Sequence, residues 1–331
     1  ILSWVYGKRV TTFADMTNLS KEFRRDLDEV ARISSINEIT RTVAQDRTVK
    51  FLLGLEDGLS IETVMIPEDR RRTVCVSSQV GCGLGCRFCV TALMGFLRNL
   101  SPAEIIDQVL TVRRHLQERD EDVTNVVMMG MGEPLLNYHN VVKAVRLMQS
   151  ELGMAFGQRR ITISTAGYVP GILRLAKEGL KVGLAISLNG SHDGIRGELM
   201  PINRKYPIGQ VLEAAREFYQ RVGRRITFEY VLIDGVTDSP EDAERVARIA
   251  HSVPSKVNLI PLNLGASPDL HRSSPLEIET FISLLVARYV TVTLRESRGD
   301  DIYAACGQLG GTFNQGQTPL SPSPFSPRVS P

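Results

Sequence analysis

The sequence predicts an α/β fold in which strands and helices alternate around a mainly parallel sheet. Seven apolar, β-branched runs lie between residues 73 and 295, and six segments with helical periodicity separate them. Strands that alternate with helices pair in parallel through right-handed crossovers. Because seven strands and six helices fall short of a closed eight-fold barrel, a partial (β/α)6 barrel of the TIM type with a seventh strand competes with a doubly wound sheet. Either fold would gather ligands at the carboxyl ends of its strands.

Each predicted element follows from its local composition. The strands are runs of β-branched and other apolar residues bounded by polar or glycine-containing loops. They cover residues 73–78, 124–130, 159–165, 181–187, 224–233, 256–262 and 290–295. Two helices carry start signals, because Ser101 precedes Glu104 and Ser239 precedes Asp242 by three positions, with proline at the first helical position in each case.

The two ends of the chain differ from this core, which we expect over residues 71–309. Residues 1–47 predict an incomplete helical accessory domain, since Leu19, Phe23 and Leu27 recur at a spacing of four. Residues 48–70 contain two short β-type runs and predict a linker. Residues 310–331 are rich in proline and serine, which predicts a disordered tail that cannot pack a core.

Composition and charge narrow the class of protein. The 331 residues are 43% hydrophobic and 23% charged, which excludes intrinsic disorder and a fibrous fold. No window approaches the roughly 18 consecutive apolar residues of a membrane span, and the first residues lack the zones of a signal peptide. We therefore expect a cytoplasmic protein without a membrane partner. The formal charge is +2, so any nucleic-acid site has to be a local patch.

The five cysteines carry most of the chemical information. Their number is odd, and in a cytosolic chain such cysteines are metal ligands or catalytic thiols more often than disulfides. Three of them form Cys82-Gly-Leu-Gly-Cys86-Arg-Phe-Cys89, directly after the first core strand. A structural zinc site takes four ligands, whereas three leave one metal position open, as in an iron–sulfur cluster with a free iron. Zinc binding and buried thiols without a ligand remain alternatives.

This C-x3-C-x2-C spacing after a first strand resembles the signature of the radical S-adenosylmethionine (SAM) superfamily. More narrowly, CVSSQVGCGLGCRFC, VVMMGMGEPLLN, LMPINRKY and RGDDIYAACGQL resemble motifs of the RlmN family, and the likeness extends from about Trp4 to about Leu309. The resemblance implies the partial barrel, a [4Fe–4S] cluster and SAM. It also implies methylation of C2 of adenosine in 23S rRNA and in tRNA.

The resemblance places the cofactor contacts at strand ends. It implies that Cys82, Cys86 and Cys89 bind the cluster. Glycine allows close approach of the backbone and a carboxylate accepts from an ammonium group, which suits Gly132 and Glu133 to the amino-acid end of SAM. The other implied SAM contacts follow later strands and are Ser164, Ser187, Leu188, Asn189 and Asn263. Some family members have histidine at position 189.

Two further cysteines and a glutamate complete the implied site. Cys306 follows the seventh strand and is expected to accept the methyl group as S-methylcysteine. A radical formed from a second SAM then activates that methyl group for addition to C2. Cys75, in the first strand, is expected to resolve the covalent enzyme–RNA adduct through a transient disulfide with Cys306. Glu62 is the expected proton acceptor, although its residue type alone favours a surface position on a strand.

Partners follow from the same interpretation. Basic residues at positions 70–72, and Arg204 with Lys205, flank site motifs and are predicted phosphate contacts. A loop adenosine is the expected target, because the base must leave its stack. We also expect an electron donor such as a flavodoxin or ferredoxin system, and a monomer. Two alternatives remain: a Cfr-type enzyme that methylates C8 of an rRNA adenosine, and a non-enzymatic RNA-binding protein in which three cysteines and an outside ligand bind zinc.

Overall fold

A ten-stranded sheet forms the centre of the protein. The computed structural model describes residues 1–263 and 267–310. The strands are β1 (Ile36–Val43), β2 (Val49–Leu55), β3 (Ser60–Glu68), β4 (Arg71–Cys75), β5 (Gln79–Gly81), β6 (Phe96–Asn99), β7 (Asn125–Met128), β8 (Ile161–Thr165), β9 (Gly183–Ser187), β10 (Ile226–Leu232), β11 (Ser255–Pro261) and β12 (Val292–Leu294). The α-helices are α1 (Lys21–Val30), α2 (Val90–Leu93), α3 (Pro102–Gln117), α4 (Tyr138–Gln149), α5 (Val169–Leu175), α6 (Asp193–Leu199), α7 (Ile208–Val222), α8 (Pro240–His251) and α9 (Pro275–Ala287).

The strands of the main sheet lie in the order of the chain, β1-β2-β3-β4-β7-β8-β9-β10-β11-β12, while β5 and β6 form a separate pair. Every neighbouring pair from β4 to β12 is parallel, and these are the seven predicted strands. A doubly wound sheet would reverse its strand order partway. The order here runs in one direction, which confirms the partial (β/α)6 barrel with a seventh strand. Within the described residues β1 and β12 do not pair, so the barrel is open.

The chain before β4 extends the same sheet with antiparallel strands. β1 pairs with β2, β2 with β3, and β3 with β4. Residues 36–43, placed by the sequence analysis in the helical part, therefore form a strand, and residues 48–70 supply β2 and β3. β1 escaped the pattern because it is an edge strand with mostly exposed side chains, and its sequence has no apolar alternation. The helical pattern around Phe23 is confirmed by α1, and the division into domains stays a prediction.

Caps and buried side chains fix the crossover helices. The capping boxes of Ser101 with Glu104 and of Ser239 with Asp242 are both present, and α9 starts in the same way at Ser274. Most apolar side chains of the parallel strands from β4 to β11, and of the helix faces that cover them, are buried. At roughly 25 cal/mol per Å² of apolar surface, this burial is the main source of stability.

Two other predictions concern membrane-spanning helices and the tail of the chain. Across residues 1–263 and 267–310, the structure contains no helix that is both long and apolar enough to span a bilayer. The predicted tail over 310–331 lies outside the described residues except for Gly310.

Candidate active site

A cavity opens at the carboxyl ends of the parallel strands. Its space, counted together with its open mouth, is about 940 Å³. Of the predicted site residues, those that line it are Cys82, Cys86, Cys89, Gly132, Glu133, Ser164, Ser187, Asn189, Asn263 and Cys306. These residues come from several strand ends, from the loop after β5 and from the chain after β12. The barrel, rather than local sequence, therefore brings them together.

The cysteine loop, residues 82–89, is fixed by the small β5–β6 sheet. Gly81 ends β5 with a φ of +72°, and a Cβ there would lie 1.9 Å from the carbonyl oxygen of Gly95, so only glycine fits. The N–H of Cys82 donates to the same carbonyl at 2.8 Å. At the other end of the loop, the N–H of Cys89 donates to the carbonyl of Cys86 at 3.2 Å. These bonds hold the loop in place at the cavity.

The three thiols of this loop fit an iron–sulfur cluster better than a single zinc ion. Zinc with Zn–S bonds of about 2.3 Å would hold its sulfur ligands about 3.8 Å apart. In the described part of the chain, only a group of three carboxylates places three such ligand atoms within 4.8 Å of one another, so at least two of the three sulfur atoms are more than 4.8 Å apart. Thiolates that bind different irons of one cluster require such spacing. Burial, and then the neighbouring thiol of Cys89, raises the pKa of Cys82 to about 12, which a cationic group would reverse.

The turn after β7 brings Gly132 and Glu133 to the cavity. Gly132 has a φ of +95°, and a Cβ there would lie 2.5 Å from the side chain of Gln79. The carboxylate of Glu133 is buried and accepts from the N–H groups of Leu135 at 3.0 Å and Ala166 at 2.7 Å. Burial outweighs these bonds and raises its pKa to about 7. The oxygens keep lone pairs for a ligand, and a bound ammonium group would lower that pKa.

A buried arginine organises the ends of β8 and β9. The guanidinium of Arg196 donates to the carbonyls of Ala166 at 2.6 Å, Leu188 at 3.0 Å and Ser187 at 3.3 Å. Among the described residues, those that line the cavity do not include Leu188. Its side chain is buried, and its N–H donates to the carbonyl of Glu229 at 2.9 Å. Leu188 therefore contributes to the position of the strand end rather than to the cavity wall.

Asn189 has an unusual backbone conformation. Its φ of +48° lies in the left-handed region, which asparagine and histidine adopt more readily than most other residues. The side-chain amide is already engaged, because Oδ1 accepts from the N–H of Val231 at 3.1 Å and Nδ2 contacts the sulfur of Met200 at 3.6 Å.

Residues 299–310, the Cys306 segment, are held by partners that are distant in sequence. The carbonyl of Cys306 accepts from Nδ2 of Asn263 at 2.9 Å. The carbonyl of Gly307 accepts from the N–H of Val90 at 2.7 Å, which ties the segment to α2 beside the cysteine loop. Asn263 therefore contacts Cys306 directly, which its predicted role in SAM binding did not anticipate.

The thiol of Cys75 lies close enough to that of Cys306 to be affected by it electrostatically, and its role as the resolving thiol stays a prediction. Cys75 ends β4 and is buried. Burial raises its pKa to about 12, the thiol of Cys306 adds to this effect, and the guanidinium of Arg295 opposes it. Arg295 follows β12, lines the cavity and donates to the sulfur of Met129 at 3.3 Å. Its pKa is raised, first by Cys306 and also by Glu229 and Cys75, so a cation lies close to both thiols.

Glu62 is buried, whereas its residue type had favoured the surface. It lies on β3, whose two edges are paired with β2 and β4, and its side chain is 2% exposed. One oxygen forms an ion pair with Lys50 of β2 at 3.1 Å. The other accepts from the N–H of Gly310. Glu62 therefore contacts the end of the Cys306 segment.

Two charged residues of the cavity, Arg295 and Glu229, were not predicted from the sequence as site residues. Glu229 is buried on β10, and its Oε1 accepts from Nδ2 of Asn258 at 3.0 Å. Its Oε2 is buried without a hydrogen-bond partner among the described residues, and burial raises its pKa. A signal was available, because each of the two is a charged residue within or at the end of an otherwise apolar strand, where an uncompensated charge is costly.

The predicted phosphate contacts differ in their availability. Arg72 is committed to an ion pair, since its guanidinium donates to both carboxylate oxygens of Glu121 at 2.6 and 2.7 Å. Arg204 and Lys205 are exposed after α6. Arg70 and Arg71 are exposed as well, so both basic groups keep side chains at the surface, and their role as phosphate contacts stays a prediction.

Comparison with known proteins agrees with the motifs. A model of the radical SAM superfamily matches residues 76–248, and one of the ribosomal RNA large subunit methyltransferase N-terminal domain matches residues 1–33. The dual-specificity RNA methyltransferase RlmN of Geobacter sulfurreducens is 47% identical over 95% of this chain and 86% of its own. That of Pelobacter propionicus is 44% identical over 96% and 90%. The crystal structure of a radical SAM methyltransferase from Sphaerobacter thermophilus is 45% identical, with a TM-score of 0.91 over 93% of this chain and 91% of that one.

Proposed function

Because the chain belongs to the RlmN family of the radical SAM superfamily, we propose that it is an RNA methyltransferase that modifies C2 of adenosine in 23S rRNA and in tRNA. One observation carries the proposal: Cys306 lines the same cavity as the three thiols of the cysteine loop, with Cys75 beside it. This arrangement suits a methyl group that first has to be bound to the protein. C2 of adenine is electron-poor and does not attack a methyl sulfonium as an amine would.

The residues that line the cavity suit the two cofactors of the superfamily, an iron–sulfur cluster and SAM. Cys82, Cys86 and Cys89 would hold the [4Fe–4S] cluster, and Gly132 with Glu133 would take the amino-acid end of SAM. When bound, the cluster supplies the electron that cleaves a second SAM to give a hydrogen-abstracting radical. The serines at the ends of β8 and β9, Ser164 and Ser187, also line the cavity and would offer hydroxyl groups to the remainder of the ligand.

Cys306 would act as the methyl carrier. Its sulfur displaces S-adenosylhomocysteine from SAM, so that one sulfur–carbon bond forms as another breaks and the sulfur becomes a thioether. One hydrogen atom of the methyl group passes to the radical formed from the second SAM, and the carbon on the Cys306 sulfur joins C2 of the adenine. The adduct then releases one electron, which the oxidised cluster would take back, and the C2 proton, which leaves protein and RNA covalently linked. The bond from Asn263 to the Cys306 carbonyl fixes the backbone of the carrier during both steps.

Cys75 and Glu62 would release the product. The thiolate of Cys75 attacks the sulfur of Cys306, a disulfide forms, and the sulfur–carbon bond to the modified base breaks. Glu62 would receive the proton that C2 loses. Both residues are buried, which keeps bulk water away from the adduct. The disulfide must then be reduced before the next cycle.

The partners follow from this chemistry. The RNA contacts would include Arg204 and Lys205, which are exposed, and the target adenosine would lie in a loop because a flipped base has to enter the cavity. Each turnover needs electrons, which a flavodoxin or ferredoxin system in the cytoplasm would supply. We propose a monomer, because the thiols and the cavity all belong to one chain.

Nucleoside mass spectrometry tests the proposal. Anaerobically reconstituted protein is incubated with methyl-deuterated SAM, a strong reductant, and 23S rRNA or tRNA, with Cys306→Ala as the control. We expect labelled 2-methyladenosine with the native protein and none with the variant. Labelled 8-methyladenosine would instead assign the protein to the Cfr type. A protein that retains its cluster and cleaves SAM but labels neither position would contradict the proposal.

A further inference from the structure

Lys50 and Glu62 form a buried ion pair beneath the segment that carries Cys306. The two residues lie on adjacent strands β2 and β3, with Nζ and Oε1 3.1 Å apart and side-chain exposures of 12% and 2%. Nζ of Lys50 also donates to the carbonyl of Tyr303 at 3.1 Å. Glu62 in turn accepts from the N–H of Gly310. The pair therefore binds the backbone of the segment on both sides of Cys306.

The surrounding contacts extend this attachment. Oδ2 of Asp46, in the turn between β1 and β2, accepts from the N–H of Gly299 at 3.1 Å. The N–H of Gln45 donates to the carboxylate of Asp301 at 3.0 Å. Within the described residues, these two bonds and the bond from Lys50 to Tyr303 join the hairpin of β1 and β2 to the first half of the segment, and Lys50 also forms the ion pair with Glu62.

We infer that Lys50 is a positioning residue that sets the place of Cys306 and the orientation of Glu62 at the same time. The inference rests on the proposed function, in which Cys306 carries the methyl group and Glu62 receives a proton. One ammonium group bonds to the carboxylate and to the segment, so the distance between the two groups depends on it. A movement of about 1 Å at a reacting centre can cost about 100-fold in rate.

A contribution to stability does not by itself explain why a charged pair is present at this position. Removing two charges from water costs several kcal/mol per ion, and replacing a buried pair by apolar residues is often neutral or stabilising. Apart from Thr63, which is hydrogen-bonded to Gln108, the other buried side chains of β2 and β3 are apolar, for example Phe51, Leu53 and Ile61. A charged pair at this location is therefore better explained by its contacts with the Cys306 segment.

The test compares K50M and K50R with the native holoenzyme, and uses K143M as the matched control because Lys143 is exposed on α4. Methionine keeps the length of the side chain but loses the charge and the donors. For K50M we expect kcat to fall about 100-fold with an unchanged KM for SAM. Iodoacetamide should label Cys306 faster in the absence of RNA, as mapped on peptides, with no such change at Cys75. K143M should match the native protein in each measurement.

K50R keeps the charge and can donate to both acceptors, so we expect it to recover most of the activity and the native labelling rate of Cys306. The inference is overturned if K50M keeps kcat within about twofold and labels Cys306 at the native rate. It is also overturned if all the cysteines of K50M react faster alike, which indicates general loosening, or if K50R is as inactive as K50M. The labelling needs no RNA, so it tests Lys50 even where the native protein fails to methylate either RNA and the proposed function falls.

Discussion

The cysteine loop and the Cys306 segment meet at one cavity but are built in different ways. The two ends of the loop are held mainly by their own neighbourhood, through the glycine turn at Gly81 and the bond to Gly95, and Arg87 within the loop adds long-range bonds to Leu199 and Asp269. The Cys306 segment is held from far along the chain, by Asn263 at 43 positions and by Lys50 at 253 positions from its contact. The loop can therefore be recognised as a sequence motif, whereas the position of the Cys306 segment depends on the completed barrel.

The largest expected effect is the loss of methylation, and the iron content should distinguish variants of the cysteine loop from variants of the Cys306 segment. Cys86→Ala should abolish both iron binding and methylation, because two thiolates hold a cluster poorly. Cys306→Ala should abolish methylation alone and keep the native iron content and ultraviolet–visible spectrum. Iron analysis of the two reconstituted variants checks this. Equal loss of iron in both would mean that Cys306 belongs to the cluster site.

Cys75 should affect release rather than attachment. In Cys75→Ala we expect methyl transfer to Cys306 to continue, and a covalent protein–RNA adduct to accumulate because no thiol attacks the Cys306 sulfur. Denaturing gel electrophoresis with labelled RNA detects the adduct. Normal turnover without adduct would remove Cys75 from the mechanism.

The pH dependence of release follows from the same thiol. Burial raises the pKa of Cys75 to about 12, so the thiol is protonated near neutral pH, and its thiolate fraction rises about tenfold for each unit of pH. The rate of RNA release in a single turnover should therefore increase about tenfold per unit between about pH 7 and 9. A flat profile would show that thiolate formation at Cys75 does not limit release.

A smaller effect concerns the attachment of the segment. Asn263→Asp removes the donor to the Cys306 carbonyl but keeps the shape of the side chain, so it should cost about 1–3 kcal/mol at that contact and lower kcat by roughly 10- to 100-fold. Asn140→Asp is the matched control, because Asn140 of α4 likewise donates to a backbone carbonyl, that of Leu100. Steady-state kinetics compare the two, and an equal loss of activity in both would argue against a special role of Asn263.

The smallest effect lies outside both regions. Ser274 caps α9, and Ser274→Ala should reduce the free energy of unfolding by about 1 kcal/mol without changing kcat. Chemical denaturation and the methylation assay measure the two quantities. A clear loss of activity would show that the start of α9 is coupled to the site.

The fold and the cysteine loop could be predicted from the sequence because both depend on local patterns. All seven strands and the capping boxes at Ser101 and Ser239 are confirmed, since apolar periodicity and caps are properties of short stretches. β1 was missed because an edge strand exposes most of its side chains. Arg295 and Glu229 were missed because one charged residue in an apolar run shows nothing about which partner lies across the barrel. The burial of Glu62 depends on Lys50 and Gly310, and no local pattern predicts that contact.

The most direct test of the central claim is to locate the methyl group on the protein. Reconstituted enzyme is incubated with methyl-deuterated SAM in the absence of RNA, digested, and analysed by peptide mass spectrometry. We predict one deuterated methyl group on the peptide that contains Cys306, with none on the peptides of Cys75 or the cysteine loop. Label that is absent from Cys306 while the same enzyme methylates RNA would contradict a carrier role for this thiol.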